Sequence, residues 1–121
     1  MVFRYQKFPV YQEIKNYIKS IYSISTKFPK EEQFGITNQL RRAATSIALN
    51  VAEGSDRGSD KDFQRFIQMA IGSLNETAAI FDLALELGFI DQQNYDIMIS
   101  QAEKIVKQLS GFRKSLGSRL L

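Results

Sequence analysis

Arg41, Arg42, Asn50 and Glu53 lie among apolar residues at helical spacing in the segment 28–57, FPKEEQFGITNQLRRAATSIALNVAEGSDR. A guanidinium or carboxylate on a helix that also buries Ile36, Leu40, Ile47 and Val51 has to be paired, stand at a bundle edge, or face another subunit. Adjacent helical positions point about 100° apart, so Arg41 and Arg42 cannot serve one partner equally. One is expected to face inward or toward a subunit boundary, the other outward. Two chemistries suit them: a structural ion pair with Glu53, Glu76 or Glu32, or contact with nucleic-acid phosphate. Glu76 follows Gly72 and Ser73 in GSLNE. A mid-helix glycine is tolerated where a neighbouring helix comes close, which would bring Glu76 within reach of Arg41 or Arg42. Asn50 suits a local bond to backbone or to the Glu53 region.

Few groups suited to catalysis are present. The 121 residues include no histidine and no cysteine. That excludes Ser-His-Asp and Cys-His arrangements, the common zinc sites, and the Glu-x-x-His pairs of di-metal helical bundles. The run from Gly54 to Gly58 is not followed by a Lys-Ser/Thr pair and does not follow a strand, so it is a poor phosphate loop. Glu53, Glu76 and Glu86 are acids on helices, which ordinarily serve as surface or ion-pair groups. The expectation is a protein that is not an enzyme and holds no metal or cofactor.

Four helices are predicted to carry these residues. The first starts at Pro9, whose fixed φ suits a first turn, and runs to about Lys27 with Val10, Ile14, Tyr17, Ile21, Ile24 and Phe28 as its apolar stripe. Pro29 stops it, and a short connection leads to a second helix from Ile36 or Thr37 to about Glu53. Small residues there, including Ala43, Ala44, Ser46 and Ala48, admit a close neighbour. Gly54 is expected to close it in the left-handed conformation. Ser59 or Asp60 caps a third helix that reaches Leu87, with Gly88 closing it. Asp91 caps the fourth, whose stripe is Tyr95, Met98, Ala102, Ile105, Leu109, Phe112 and Leu116. Ile99, Val106 and Arg113 sit one position further round, so its apolar face exceeds a narrow seam and suits either a wide core face or another subunit. Short turns between helices favour an all-α, antiparallel up-down four-helix bundle, a single domain over residues 1–121.

The net charge of +3 is unevenly placed. Residues 1–30 hold six Lys/Arg against one acid and residues 101–121 hold five against one, whereas residues 61–100 hold two against six. If the first and last helices are neighbours, Lys15, Lys19, Lys27, Lys104, Lys107, Arg113 and Lys114 can form one positive surface able to contact RNA or DNA phosphates, the alternative being an ordinary solvated surface. No run of eighteen uninterrupted apolar residues occurs and MVFRYQKFP lacks a signal-peptide core. A cytoplasmic protein with no membrane partner is therefore expected.

The segment around the arginines resembles the signature of four-helix-bundle proteins encoded in intervening sequences of bacterial 23S ribosomal RNA genes. The matching residues are Phe28, Pro29, Glu31, Glu32, Gly35, Gln39, Arg41, Arg42, Ser46, Asn50, Glu53, Gly54, Arg57, Ser59, Phe63, Phe66, Ala70, Gly72, Ser73, Leu74 and Glu76. The chain departs at Ala48, where the family often has proline, so a kink tied to that proline is not expected here. The resemblance spans about residues 8 to 112. It implies a homo-oligomeric ring, typically a pentamer, without known catalysis. A similar bundle is the accessory protein of reverse transcriptases in diversity-generating retroelements. The expected function is a non-enzymatic oligomer that binds RNA or DNA through its basic surface, and the alternative is a protein-interaction adaptor or scaffold that does not bind nucleic acid.

Overall fold

The computed structural model describes residues 2–118, and its four long helices are α1 (Pro9–Ser25), α2 (Ile36–Gly54), α3 (Asp60–Glu86) and α4 (Gln92–Ser118). Single 3-10 turns at Arg4–Lys7 and Lys30–Glu32 precede α1 and α2. Each helix packs on its neighbours in sequence, and α1 closes the ring against α4. This is the antiparallel up-down bundle expected from the apolar periodicity.

The helix ends follow local chemistry. Pro9 occupies the first turn of α1. The helix stops at Ser25, two residues short of Lys27, because the chain tightens as Lys27 N–H donates to Ile24 O and Phe28 N–H to Ser25 O ahead of Pro29. Glu32 caps α2 by accepting from Ile36 N–H at 3.3 Å. The Ser59 hydroxyl accepts from Asp62 N–H at 3.1 Å, and Asp91 Oδ1 accepts from Asn94 N–H at 2.8 Å, capping α3 and α4 as the sequence suggests. Gly88 closes α3 at φ +76°. There Phe89 N–H reaches Ala84 O and Gly88 N–H reaches Leu85 O, satisfying two carbonyls that the helix leaves open.

Gly54 differs from expectation. It stays helical rather than left-handed, and the positive-φ residue of that connection is Gly58. What Gly54 supplies is space: a Cβ placed there would lie 2.5 Å from Phe66 Cβ and 2.9 Å from Phe63 Cδ1. The helix end therefore sits directly on the rings of α3.

Ile14 and Ile21 of α1, Leu40, Ile47 and Val51 of α2, Ile67, Leu74 and Phe81 of α3, and Met98, Ile105 and Leu109 of α4 are buried together. Each such side chain contributes about 1.5–3 kcal/mol by leaving water. Two polar groups share this interior, where the Tyr17 and Thr77 hydroxyls lie 2.8 Å apart across the bundle from α1 to α3. Thr77 also donates to Leu74 O at 2.6 Å, which leaves its oxygen to accept from Tyr17. Burial pushes the Tyr17 phenol up to about 12. An aromatic cluster seals the end of the bundle where α1 begins and α4 ends, with Phe112 edge-on to both Phe8 and Phe63 at 5.1 and 5.2 Å.

Candidate functional site

The packing of α1 on α4 joins the two basic stretches of the chain along one flank. Lys15 and Lys19 on α1, Lys27 in the turn after it, and Lys104, Lys107 and Lys114 on α4 are all exposed, with Lys107 on the side of α4 that faces α3. The flank is not uniformly cationic. Glu13 stands in the seam and meets Lys104 Nζ at 3.5 Å, an exposed contact worth at most about 1 kcal/mol. Lys15 lies over the Tyr11 ring at 5.3 Å, so its ammonium remains at the surface. Arg113 departs from the grouping expected in sequence. It turns toward α3, where its guanidinium donates to Gln68 Oε1 and its carbonyl accepts from Gln64 Nε2 at 2.9 Å. Arg119, counted in the basic C-terminal stretch, lies outside the described residues.

Arg41 and Arg42 separate as their 100° offset demands. Arg41 is half-buried against α1: Nε donates to Ser25 Oγ at 2.8 Å, an amino group donates to Tyr22 O at 3.3 Å, and the guanidinium lies 4.7 Å from the Tyr22 ring centre. Its partners are a hydroxyl, a carbonyl and an aromatic face. The acids named in sequence are elsewhere. Arg42 is exposed and so is Glu76, and neither forms an ion pair among the described residues. Gly72 has open space over its α-carbon, so no helix of this chain approaches it. Asn50 keeps the local role expected of it, donating to Ser46 O at 2.9 Å.

Glu53 belongs to a surface network at the α2–α3 connection. Arg57 reaches Glu53 at 3.5 Å and Asp62 at 3.0 Å, and Arg65 reaches Asp62 at 2.9 Å. Hydrogen bonds from the two arginines hold the Asp62 carboxyl below its usual range. Both guanidiniums also flank the Phe66 ring, at 5.0 and 4.7 Å. Arg4, which no motif singled out, ties the N-terminal turn to this end of the bundle. It donates to Ser55 O at 2.9 Å and lies near the Phe8 and Phe63 rings. A single arginine ahead of the first helix has no periodic signal, so only the folded chain reveals this contact.

Large apolar side chains remain on the outside. Leu49 on α2 is 66% exposed and Met69, Leu83 and Leu87 follow along α3 and its end. The seam beneath them is tight, with Ser46 and Ser73 Oγ atoms 3.2 Å apart. Between α3 and α4 the surface opens instead into a groove of about 430 Å³. Among the described residues no cluster of three or more acids is placed to hold a metal ion, and no helix is long and apolar enough to cross a membrane.

Comparison with known proteins adds an identity to this geometry. A family model described as 23S rRNA-intervening sequence protein matches residues 6–111. The 1.70 Å crystal structure of a protein of unknown function from the S23 ribosomal protein family of Bacteroides thetaiotaomicron VPI-5482 superposes with a TM-score of 0.80. It is 23% identical, and the match covers 87% of this chain and 98% of that one, so the two share a fold. No curated protein matches the chain.

Proposed function

This chain belongs to the 23S rRNA-intervening sequence protein family, and from that premise we propose that it is a non-enzymatic cytoplasmic homo-oligomer that binds RNA or DNA through phosphate contacts. The observation that carries the reading is the packing of α1 on α4, which joins the chain's two most basic segments. Lys15, Lys19 and Lys27 supply exposed ammonium groups there, and Lys107 and Lys114 extend the basic surface further round α4. Lys104 exchanges a weak contact with Glu13 for one with phosphate at little cost. Such a surface recognises polyanion charge rather than base sequence.

Assembly draws support from the opposite flank. Leu49 and Met69 are exposed beside Arg42 and Glu76, charges of opposite sign that find no ion-pair partner among the described residues. Paired across a boundary between subunits, Arg42 and Glu76 would each gain the partner that the isolated chain lacks. A ring, with the pentamer as its expected size, repeats the basic flank around its circumference and multiplies weak phosphate contacts.

Light scattering combined with a salt titration tests both parts. The expected mass is about five times the 13.8 kDa chain. Affinity for a mixed RNA or DNA probe is expected to fall about 100- to 500-fold between 50 and 200 mM salt if about five phosphates are contacted. Lys15→Glu with Lys107→Glu is expected to flatten that dependence. An absence of salt-dependent affinity would overturn the nucleic-acid reading in favour of a protein-interaction adaptor, and a monomeric mass would overturn the ring.

A further inference from the structure

The groove between α3 and α4 shares one residue, Lys107, with the basic surface proposed above, and the rest of its lining has no part in that function. Leu74 and Ala78 of α3 form its floor with Ile99, Ala102 and Val106 of α4. Ile99 and Val106 are the residues by which the apolar stripe of α4 overruns its core face, and the bundle covers them only in part. Asp82 and Glu103 stand on the rim, and Lys107 is the one cation lining the groove. At one end the Tyr95 hydroxyl donates to Asp82 Oδ1 at 2.6 Å, tying α4 to α3 and forming an end wall. Glu86 lies one turn beyond Asp82 on α3, and Asp96 follows Tyr95 on α4, where it accepts from Gln92, in the stretch of chain where acids outnumber bases by six to two.

We propose that this groove receives an amphipathic α-helix from a partner protein, its apolar stripe on the floor and Lys or Arg along its flanks. The length fits: Tyr95 to Lys107 spans about 18 Å at 1.5 Å per residue, or roughly three turns of a docked helix. Three turns present anchors at i, i+3 or i+4, and i+7, the spacing that a helix uses in an apolar trough. The carboxylates on the rim select cationic flanks and disfavour phosphate, and Lys107 marks the border between this groove and the nucleic-acid flank. A second copy is a poor occupant. The apolar stripes of its four helices lie inside its own bundle, and of the side chains it leaves outside, Leu49 and Met69 stand on the flank assigned above to the contact between subunits.

The test is fluorescence anisotropy of a labelled 18-residue synthetic helix, with leucines at i, i+3, i+4 and i+7 and lysine flanks, titrated with the full chain. Two control peptides have the same composition in scrambled order, or glutamate in place of the lysines. The lysine-flanked helix is expected to bind at least 10-fold more tightly than either control. Ala78→Arg, which plugs the floor, is expected to weaken it by at least 10-fold. Asp82→Lys with Glu103→Lys is expected to move the preference to the glutamate-flanked peptide, and because both residues are exposed this variant keeps the test readable if Ala78→Arg fails to fold. Equal binding of the scrambled peptide, or an unchanged preference after the rim is reversed, would overturn the proposal. So would a fall in the protein's light-scattering mass on Ala78→Arg, since the groove would then be a contact between copies.

Discussion

The two flanks of α3 are built in opposite ways. Toward α2 the contact closes completely: Gly54 sits against the Phe63 and Phe66 rings with no room for a methyl group, and Ser46 meets Ser73 at 3.2 Å. Toward α4 the helices are tied by polar contacts near each end, Tyr95 to Asp82 and Gln64 to the Arg113 carbonyl, and between them lies a trough with an alanine on each side. Small residues occur in both seams. Against α2 they let backbones approach, whereas against α4, Ala78 and Ala102 leave floor space that none of the described residues fills. Close approach in one seam and open volume in the other assign α3 two jobs, holding the bundle and offering a surface.

Substitutions on either flank put that contrast to the test. The largest effect is expected from Phe63→Ala on the closed side, which removes a ring packed by Phe8, Phe112 and Gly54. Chemical denaturation should show a loss of about 3–5 kcal/mol. Next in size is an alkaline effect from the interior between the flanks. The native state binds the Tyr17 proton more tightly than the unfolded chain, so its contribution is complete below pH 10 and disappears as pH rises from about 10 to about 12. Melts across that range should lose about 2–3 kcal/mol that Tyr17→Phe does not lose.

Gly54→Ala is expected to destabilise by about 1–2 kcal/mol, because the clash with Phe66 outweighs the roughly 1 kcal/mol that alanine brings to a helix. Gly72→Ala should do the reverse, since its position is open, and raise stability by about 0.5–1 kcal/mol. Smallest of all, Ala78→Leu on the open side should change stability by less than about 0.5 kcal/mol, the added side chain entering the trough. Equal penalties for Gly54→Ala and Ala78→Leu would abolish the distinction between the flanks.

Much of this organisation was legible in the residues themselves. Period-3.6 stripes located all four helices, and Ser59, Asp91 and Gly88 end or begin them as their chemistry suggests. The misreadings share a cause, which is that one residue type answers two different needs. Gly54 before a polar turn looks the same whether it frees φ or vacates space for a ring. Gly72 looks like a close approach, yet no helix of this chain covers it. Arg41 invites a carboxylate, but a carbonyl, a hydroxyl and a tyrosine face satisfy it, and backbone acceptors leave no trace in sequence. Arg113 reads as one more surface cation until the rotation of α4 turns it toward Gln68. The groove was half visible as the excess of Ile99 and Val106 on α4, but its depth depends on Ala78 across the seam, a pairing that only folding specifies.

The hydroxyl pair at the centre has a consequence for every surface described. Amphipathic helices with long apolar stripes can slip past one another by a turn, about 5.4 Å, and still bury similar area. Tyr17 and Thr77 meet at 2.8 Å in only one such alignment, and slippage would strand a buried phenol at a cost of about 1–3 kcal/mol. The pair thus works as a vernier mark, fixing the axial setting of α1 against α3 so that the outer contours come out identical in every molecule.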